Sequence, residues 1–209
     1  MNKYSKRVAT GLAWLAALAA VAAPPNVQAQ GAATYPSRSI RIVVPYPAGG
    51  GIDVLSRVLC ERLGKSMGQP VVVDNKPGAG TLLAAEFVAR SPADGYTLMV
   101  TTDSTLTINP HLYSKLPYDP VKDFAPITQL VVLNQLLLAN PAVPASNVQE
   151  LITYAKANPG RLNYASYGSG SQPHLAMETL KAQSGIDIVH VPYKGIPQAV
   201  PAALAGEVQ

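Results

Sequence analysis

The sequence predicts an α/β fold in which parallel strands are joined by crossover helices. Three observations carry that expectation. Short apolar runs alternate with segments whose apolar residues recur every three or four positions. The connections between the runs are long enough for the crossovers that parallel neighbours require. The second half then repeats the pattern of the first.

The first 29 residues are set aside before any fold is argued. Lys3, Lys6 and Arg7 precede an almost wholly apolar stretch, residues 11–23, and Val27-Gln28-Ala29 is a small-residue cleavage site. This is the grammar of a secretory signal peptide cut after Ala29, which implies export. The apolar stretch falls short of the roughly 20 residues a spanning helix needs. The chain carries 16 basic and 12 acidic side chains, but the leader holds three of the bases, leaving 13 against 12. The mature chain is thus nearly neutral, and no basic stripe with interleaved aromatics suggests nucleic acid. Cys60 is the single cysteine, so no internal disulfide forms and a small buried hydrophobe is expected there.

The first mature strand is the apolar run Ile40, Ile42, Val43, Val44. It passes through Pro45-Tyr46-Pro47 and Gly49-Gly50-Gly51 into a helix opening near Ile52-Asp53. Such a junction collects free backbone N–H groups and a partial positive charge, so it suits an anion. Ile52, Leu55, Leu59 and Leu63 make one apolar stripe, and residues 64–70 are expected to break that helix. Val71 to Asp74 is a second strand, followed by a glycine-rich loop, residues 75–80, and a helix over 81–90. Asp94-Gly95 turns the chain into a third strand over 96–102.

The middle has a different texture. Residues 103–126 carry four prolines and are expected to be mostly loop, and the apolar residues 127–139 to form one bent or two short strands. A domain crossing is placed near Thr128, dividing residues 30–128 from 129–209. Beyond it, Ser146-Asn147-Val148-Gln149 predicts a capping box and a helix stopped at Asn158-Pro159-Gly160. A strand over 162–165, a Gly/Ser loop, a helix over 173–184 closed by Gly185, and a strand over 186–191 follow. A last helix over 197–205 holds Pro201, which predicts a short or kinked helix. Glu207-Val208-Gln209 reads as the start of a further strand, and the expectation is of an interrupted chain.

Three loops follow strand C-terminal ends, residues 45–51, 101–109 and 166–172, and in open parallel sheets ligands sit beyond those ends. These loops are expected to face one cleft. Dinucleotide and phosphate-loop spacings are absent, and so is any close histidine–carboxylate cluster; no cofactor and no metal are expected. Gly168-Ser169-Gly170-Ser171 offers N–H groups and hydroxyls ahead of a helix, with Tyr46 as a wall and donor on the other side. Together these donors suit a small dianion or a carboxylate at each end of one molecule. Micromolar binding needs about 8 kcal/mol and one charge-assisted bond gives about 1.5 to 3, so several donors must act together. Each residue also has a plainer reading. Gly49 to Gly51 can simply permit a turn, Asp53 can cap its helix, His111 can sit in a loop, and His190 can be packed in a strand. His174 and Lys194 are open between a place in the cleft and a structural or solvated role.

The stretches VVPYPAGGGID, VVVDNKPGAG, SPADGYTLMVTTDSTLTINPHLY, LPYDPVKDFAPIT, LNYASYGSGSQPHLAMETLK and IVHVPYKG, in this order, resemble the Bug family. These are extracytoplasmic substrate-binding proteins of tripartite tricarboxylate transporters. The resemblance covers residues 35–209. It implies a periplasmic binding protein fold of type II, two α/β lobes closing on a carboxylated small molecule, with the second lobe and the return to the first incomplete here. It implies ligand contacts from Tyr46, Pro47, Ala48, Gly49 and Gly50 on one side and from Tyr167, Gly168, Ser169, Gly170, Ser171 and His174 on the other, with Thr102, Ser104 and Thr105 as a third group. Asp103 departs from the neutral residue many relatives carry, and an acid there would disfavour some carboxylates or favour an amino group. The implied partners are a small carboxylate and integral-membrane transporter subunits, with a monomeric receptor that makes and breaks no bonds. The alternatives are an exported serine hydrolase using the Gly-Ser loop with His174, and a non-functional fragment of such a receptor.

Overall fold

The computed structural model describes residues 34–209; the leader and its cut after Ala29 lie outside the described residues. Strand β1 (Ile40–Val44) is the centre of a three-stranded parallel sheet, with β2 (Val71–Asn75) on one side and β3 (Thr97–Met99) on the other. Ile40 pairs with Val71 and Arg41 with Thr97. A central parallel strand is covered on both faces, and four of the five β1 residues are accordingly buried and apolar. Helix α1 (Gly51–Met67) packs its stripe Ile52, Leu59, Leu63 on Ile42 and Val44, with Cys60 buried among them. Burial raises the Cys60 thiol pKa, as expected of a packed, unreactive cysteine. Helix α2 (Leu82–Ala89) packs near β1 and β3 with Ala84 and Ala85 fully buried, small enough to let the helix approach closely.

The second sheet has two parallel strands, β4 (Leu162–Ser166) and β5 (Ile188–Pro192), with Leu162 opposite Ile188. Its core joins Leu162, Tyr164, Ile186 and Ile188 to Ala155 of α4 (Val148–Ala157) and Met177 of α5 (Gln172–Ser184). Helix α6 (Ile196–Ala205) follows β5 and carries Pro201 inside it. Gln209 N–H donates to the Asn163 carbonyl of β4, Gln209 Oε1 accepts from Asn163 N–H, and the Gln209 carbonyl accepts from Asn140 N–H.

Several boundaries differ from expectation. Helix α1 runs through Gly64 and ends at Gly68, which takes the left-handed conformation (φ 68°) and donates to the Gly64 carbonyl. One interior glycine costs only about 1 kcal/mol, and the buried stripe outweighs it. The capping box lies one residue later than read: Asn147 Oδ1 accepts from Glu150 N–H, and the Glu150 carboxylate accepts from Ser146 N–H at 2.7 Å. Residues 104–112, expected as loop, form a π-helical turn (Ser104–Ile108) running into a short helix α3 (Asn109–Leu112). Pro110 sits at its first positions, where a missing N–H costs nothing. Residues 127–139 are not strand. They run irregularly and exposed, with Ile127 78%, Val132 76% and Leu136 84% accessible. An apolar run becomes a strand only beside a pairing edge, and among the described residues it has none.

Candidate functional site

The site is built where strands of both sheets end. Val44, Asn75, Met99, Ser166 and Pro192 are the C-terminal residues of β1 to β5, and the loops after them converge. The first loop, residues 45–50, is held from below by Asp53. Its Oδ2 accepts from Gly49 N–H at 2.9 Å and from Arg57 Nε at 2.9 Å, while Oδ1 accepts from Asn75 Nδ2. Chiefly through the Arg57 bond, its pKa is lowered to about 2, so the loop rests on a permanent carboxylate. Tyr46 reaches the other way, its hydroxyl 2.7 Å from Thr102 Oγ1 and its ring edge-on to Tyr167 at 6.4 Å. Burial pushes the Tyr46 pKa up to about 12, so its hydroxyl stays neutral and able to donate.

The opposite loop, residues 167–171, is tied down by serine and histidine side chains. Ser166 Oγ and Ser171 Oγ both donate to the Gly168 carbonyl, and Gly168 N–H donates back to Ser166 Oγ. His190 Nε2 lies 2.6 Å from Ser166 Oγ, with the His190 ring stacked on Tyr164 and packed against His174. His174 Nδ1 accepts from Gly170 N–H. Gly170 is required here: its φ is 78°, and a Cβ would overlap Leu112 Cδ2. The third group is a buried polar network. Thr105 donates to Thr81 Oγ1, Asn109 Nδ2 donates to the Gly80 carbonyl and Thr81 Oγ1, and Tyr118 donates to the Thr105 carbonyl. It fixes Ala79 and Thr81 at φ 47° and 79°, values unusual outside glycine and costing about 1–3 kcal/mol each.

Two adjoining cavities lie between these loops. The first, of about 120 Å³, has a lining about equally polar and apolar, formed by the Tyr167 to Ser171 loop, the Gly78 to Thr81 loop, Ser104, Tyr193 and Lys194 among others. The second, of about 100 Å³, is lined by Pro47, Gly50, Ile52, Thr102, Leu133 and Ile196 among others. Tyr46, Ser104 and Tyr167 line both. The structure thus brings to the cavities Tyr46, Pro47, Gly50, Thr102, Ser104, Tyr167, Gly168, Ser169, Gly170 and Ser171. It does not bring Ala48, Gly49, Thr105 or His174 to either wall. Thr105 is fully buried in the threonine network, and His174 supports its loop from behind. His190 is a packed strand histidine, and Lys194 faces the first cavity. Sequence reasoning missed Gly78 to Thr81, although that loop also follows a strand's C-terminal end. It missed Gly195 to Pro197 as well, where α6 begins.

A family profile described as "Tripartite tricarboxylate transporter family receptor" matches residues 55–209. The chain belongs to this family. A UPF0065 protein of Bordetella pertussis is 42% identical over 175 residues, covering 84% of this chain and 54% of that relative. Among solved structures, Rhodopseudomonas palustris Rpa4515 with adipate is similar at 36% identity and a TM-score of 0.80, over 83% of this chain and 58% of that one. The periplasmic binding protein BugD is similar at 32% identity and a TM-score of 0.73, over the same shares. The fold is therefore that of a periplasmic binding protein, and the chain spans little more than half the length of the relatives it matches. The serine–histidine geometry is not that of the hydrolase alternative: His174 meets the Gly170 backbone, and it is Ser166 that meets His190. No group of three metal-ligating side chains occurs among the described residues, and no helix among them is long and apolar enough to cross a membrane.

Proposed function

We propose that this chain is an extracytoplasmic solute receptor that holds a small carboxylate between its two groups of loops and presents it to the membrane subunits of a tripartite tricarboxylate transporter. The observation that carries the reading is the half-polar cavity where the Gly-Ser loop, the Gly78 to Thr81 loop and Lys194 meet. A neutral Tyr46 hydroxyl and the Lys194 ammonium are the donors offered to a carboxylate, while the Gly168, Gly170 and Ser171 N–H groups are bonded within their own loop and hold its shape.

In this reading residues 30–128 and 129–209 belong to separate lobes, and the ligand bridges them. The Gln172 Nε2 bond to Asp103 Oδ2, at 2.7 Å, is one contact that such a closure would make. The leader directs the chain to the periplasm, and the receptor acts as a monomer without cofactor or nucleic acid. The relatives' family and the adipate held by a structural neighbour support a carboxylate ligand.

The test is thermal denaturation and calorimetry of the purified chain with short carboxylic acids, against inorganic phosphate and glucose. Acids raise the melting temperature by several degrees at millimolar concentration, by mass action on the folded state. A response to phosphate or glucose alone would overturn the reading.

A further inference from the structure

In the first cavity the N–H groups of the Gly-Ser loop are turned inward, so the proposed receptor offers a carboxylate few donors there. Gly168 N–H goes to Ser166 Oγ, Ser171 N–H to the Gly168 carbonyl, and Gly170 N–H to His174 Nδ1 at 3.1 Å. The last bond differs from the others, because its acceptor titrates. An imidazole nitrogen accepts only while it carries no proton, so this bond exists with Nδ1 bare and is lost when Nδ1 is protonated.

The peptide between Ser169 and Gly170 is placed to respond. The N–H and C=O of a trans peptide point in opposite directions. Here the N–H points at His174, and the Ser169 carbonyl lies on the far side, 3.4 Å from where a Gly80 Cβ would stand. Gly80 and Ser169 both line the first cavity, so a neutral His174 leaves an oxygen rather than a donor facing that wall. No donor among the described residues meets the Ser169 carbonyl. The ties through Ser166 and Ser171 all converge on Gly168, and Gly170 can take either sign of φ. A half-turn of this one peptide therefore breaks only the bond to His174.

We propose that a proton taken from solvent by His174 Nδ1 turns the Ser169–Gly170 peptide over, giving the imidazolium the Ser169 carbonyl and the cavity the Gly170 N–H, so that carboxylate binding is coupled to the uptake of one proton. The cavity gains a donor, and a positive charge stands behind its wall; both favour an anion. The groups facing His174 allow the charged state. Glu178, one turn further along α5, is a carboxylate whose pKa is lowered by the Lys181 bond first, then by the Tyr164 hydroxyl of β4, and less by His174. Lys181 lies 2.7 Å from Glu178 Oε1 and opposes a further cation. His190 of β5, its ring 4.3 Å from that of His174, is held toward the neutral form by burial and then by His174, so the proton goes to His174. His174 is thus a positioning residue that acts through the Gly170 backbone.

This inference deepens the receptor reading and rests on it, and the experiment separates the two. Hexanoate and adipate are titrated calorimetrically at about pH 7, where imidazoles change charge and both acids are ionised, in buffers of low and of high ionisation enthalpy. The wild-type heat is expected to depend on the buffer, which reports proton uptake. Affinity is expected to rise about threefold to tenfold from about pH 8 to about pH 6, the effect of one added hydrogen bond across the imidazole range. In His174→Asn, whose amide does not titrate, both dependences are expected to vanish. In the acid-free chain the Gly170 amide resonance should move together with the His174 ring resonances as pH falls. Binding without proton uptake, uptake that persists in His174→Asn, or a Gly170 amide indifferent to the His174 titration would each overturn the inference and leave a carboxylate receptor standing. If neither acid bound, the receptor reading would fall, and the Gly170 amide would still decide whether the peptide turns.

Discussion

Asp53 shows how one buried charge shapes a loop that has no secondary structure of its own. It is 2% exposed, yet three donors from Gly49, Arg57 and Asn75 keep it ionised with a pKa of about 2, below the ordinary 3.8. A carboxyl whose folded pKa is depressed stabilises the fold fully above the unfolded value and loses that contribution as pH falls through the folded one. Urea denaturation of Asp53→Asn is therefore expected to show a loss of about 1–2 kcal/mol at neutral pH. The gap between variant and wild type should close as pH drops from about 4 toward about 2, and a gap independent of pH would contradict the charge argument. Asn109 plays the matching part for the loop over residues 78–81. Its amide donates to the Gly80 carbonyl and Thr81 Oγ1 while the side chain is 1% exposed. Asn109→Ala leaves those acceptors buried and the positive-φ residues unsupported, so a loss of about 2–4 kcal/mol is expected in chemical denaturation, together with weaker carboxylate binding.

At the scale of elements, the starts of helices decide how closely the loops approach. Gly195, before α6, has extended backbone that any residue adopts, but a Cβ there would lie 2.9 Å from Pro47 Cδ. A proline ring cannot swing away, so Gly195→Ala must push residues 45–50 and the start of α6 apart. A stability loss of about 1–3 kcal/mol and a measurably weaker affinity for short acids in calorimetry are expected. Unchanged affinity would show that the two loops do not need this contact. The sequence made most of this architecture readable: β1, β2 and α5 fall within a residue of expectation because burial pattern, glycine stops and proline starts agree there. The Gly168 to Ser171 loop was legible for the same reason, since glycines and serines before a helix mark an exposed N-terminus. The π-helical turn at residues 104–108 was not, because four prolines nearby argued for loop, while tertiary contacts hold it, among them the Thr105 to Thr81 bond and the Tyr118 hydroxyl on the Thr105 carbonyl. Nor was the role of His174 legible, since the direction of an imidazole on a first helical turn depends on the Gly170 backbone it meets.

At the scale of the whole molecule, the described chain combines two well-packed sheets with an apolar ribbon over residues 127–139 that neither sheet takes up. Val132 and Leu136 are 76% and 84% exposed, whereas Leu133 between them contributes to the apolar cavity. Alternation of this kind gives the ribbon one face toward the site and one toward water, so the two faces can be changed separately. Exposed apolar runs are sites of association between chains, because covering them removes surface from water without cost to the fold. The double variant Val132→Lys, Leu136→Lys is therefore expected to change stability by no more than about 0.5 kcal/mol, as surface substitutions do. It should also lower the tendency to associate seen in sedimentation velocity as concentration rises, since the added charges repel and remove the apolar contact. Carboxylate affinity should stay at the wild-type value, because neither residue lines a cavity. A fall in stability well beyond that limit would mean that the exposed face is packed in solution, and association unchanged by two lysines would place the sticky surface elsewhere on the molecule.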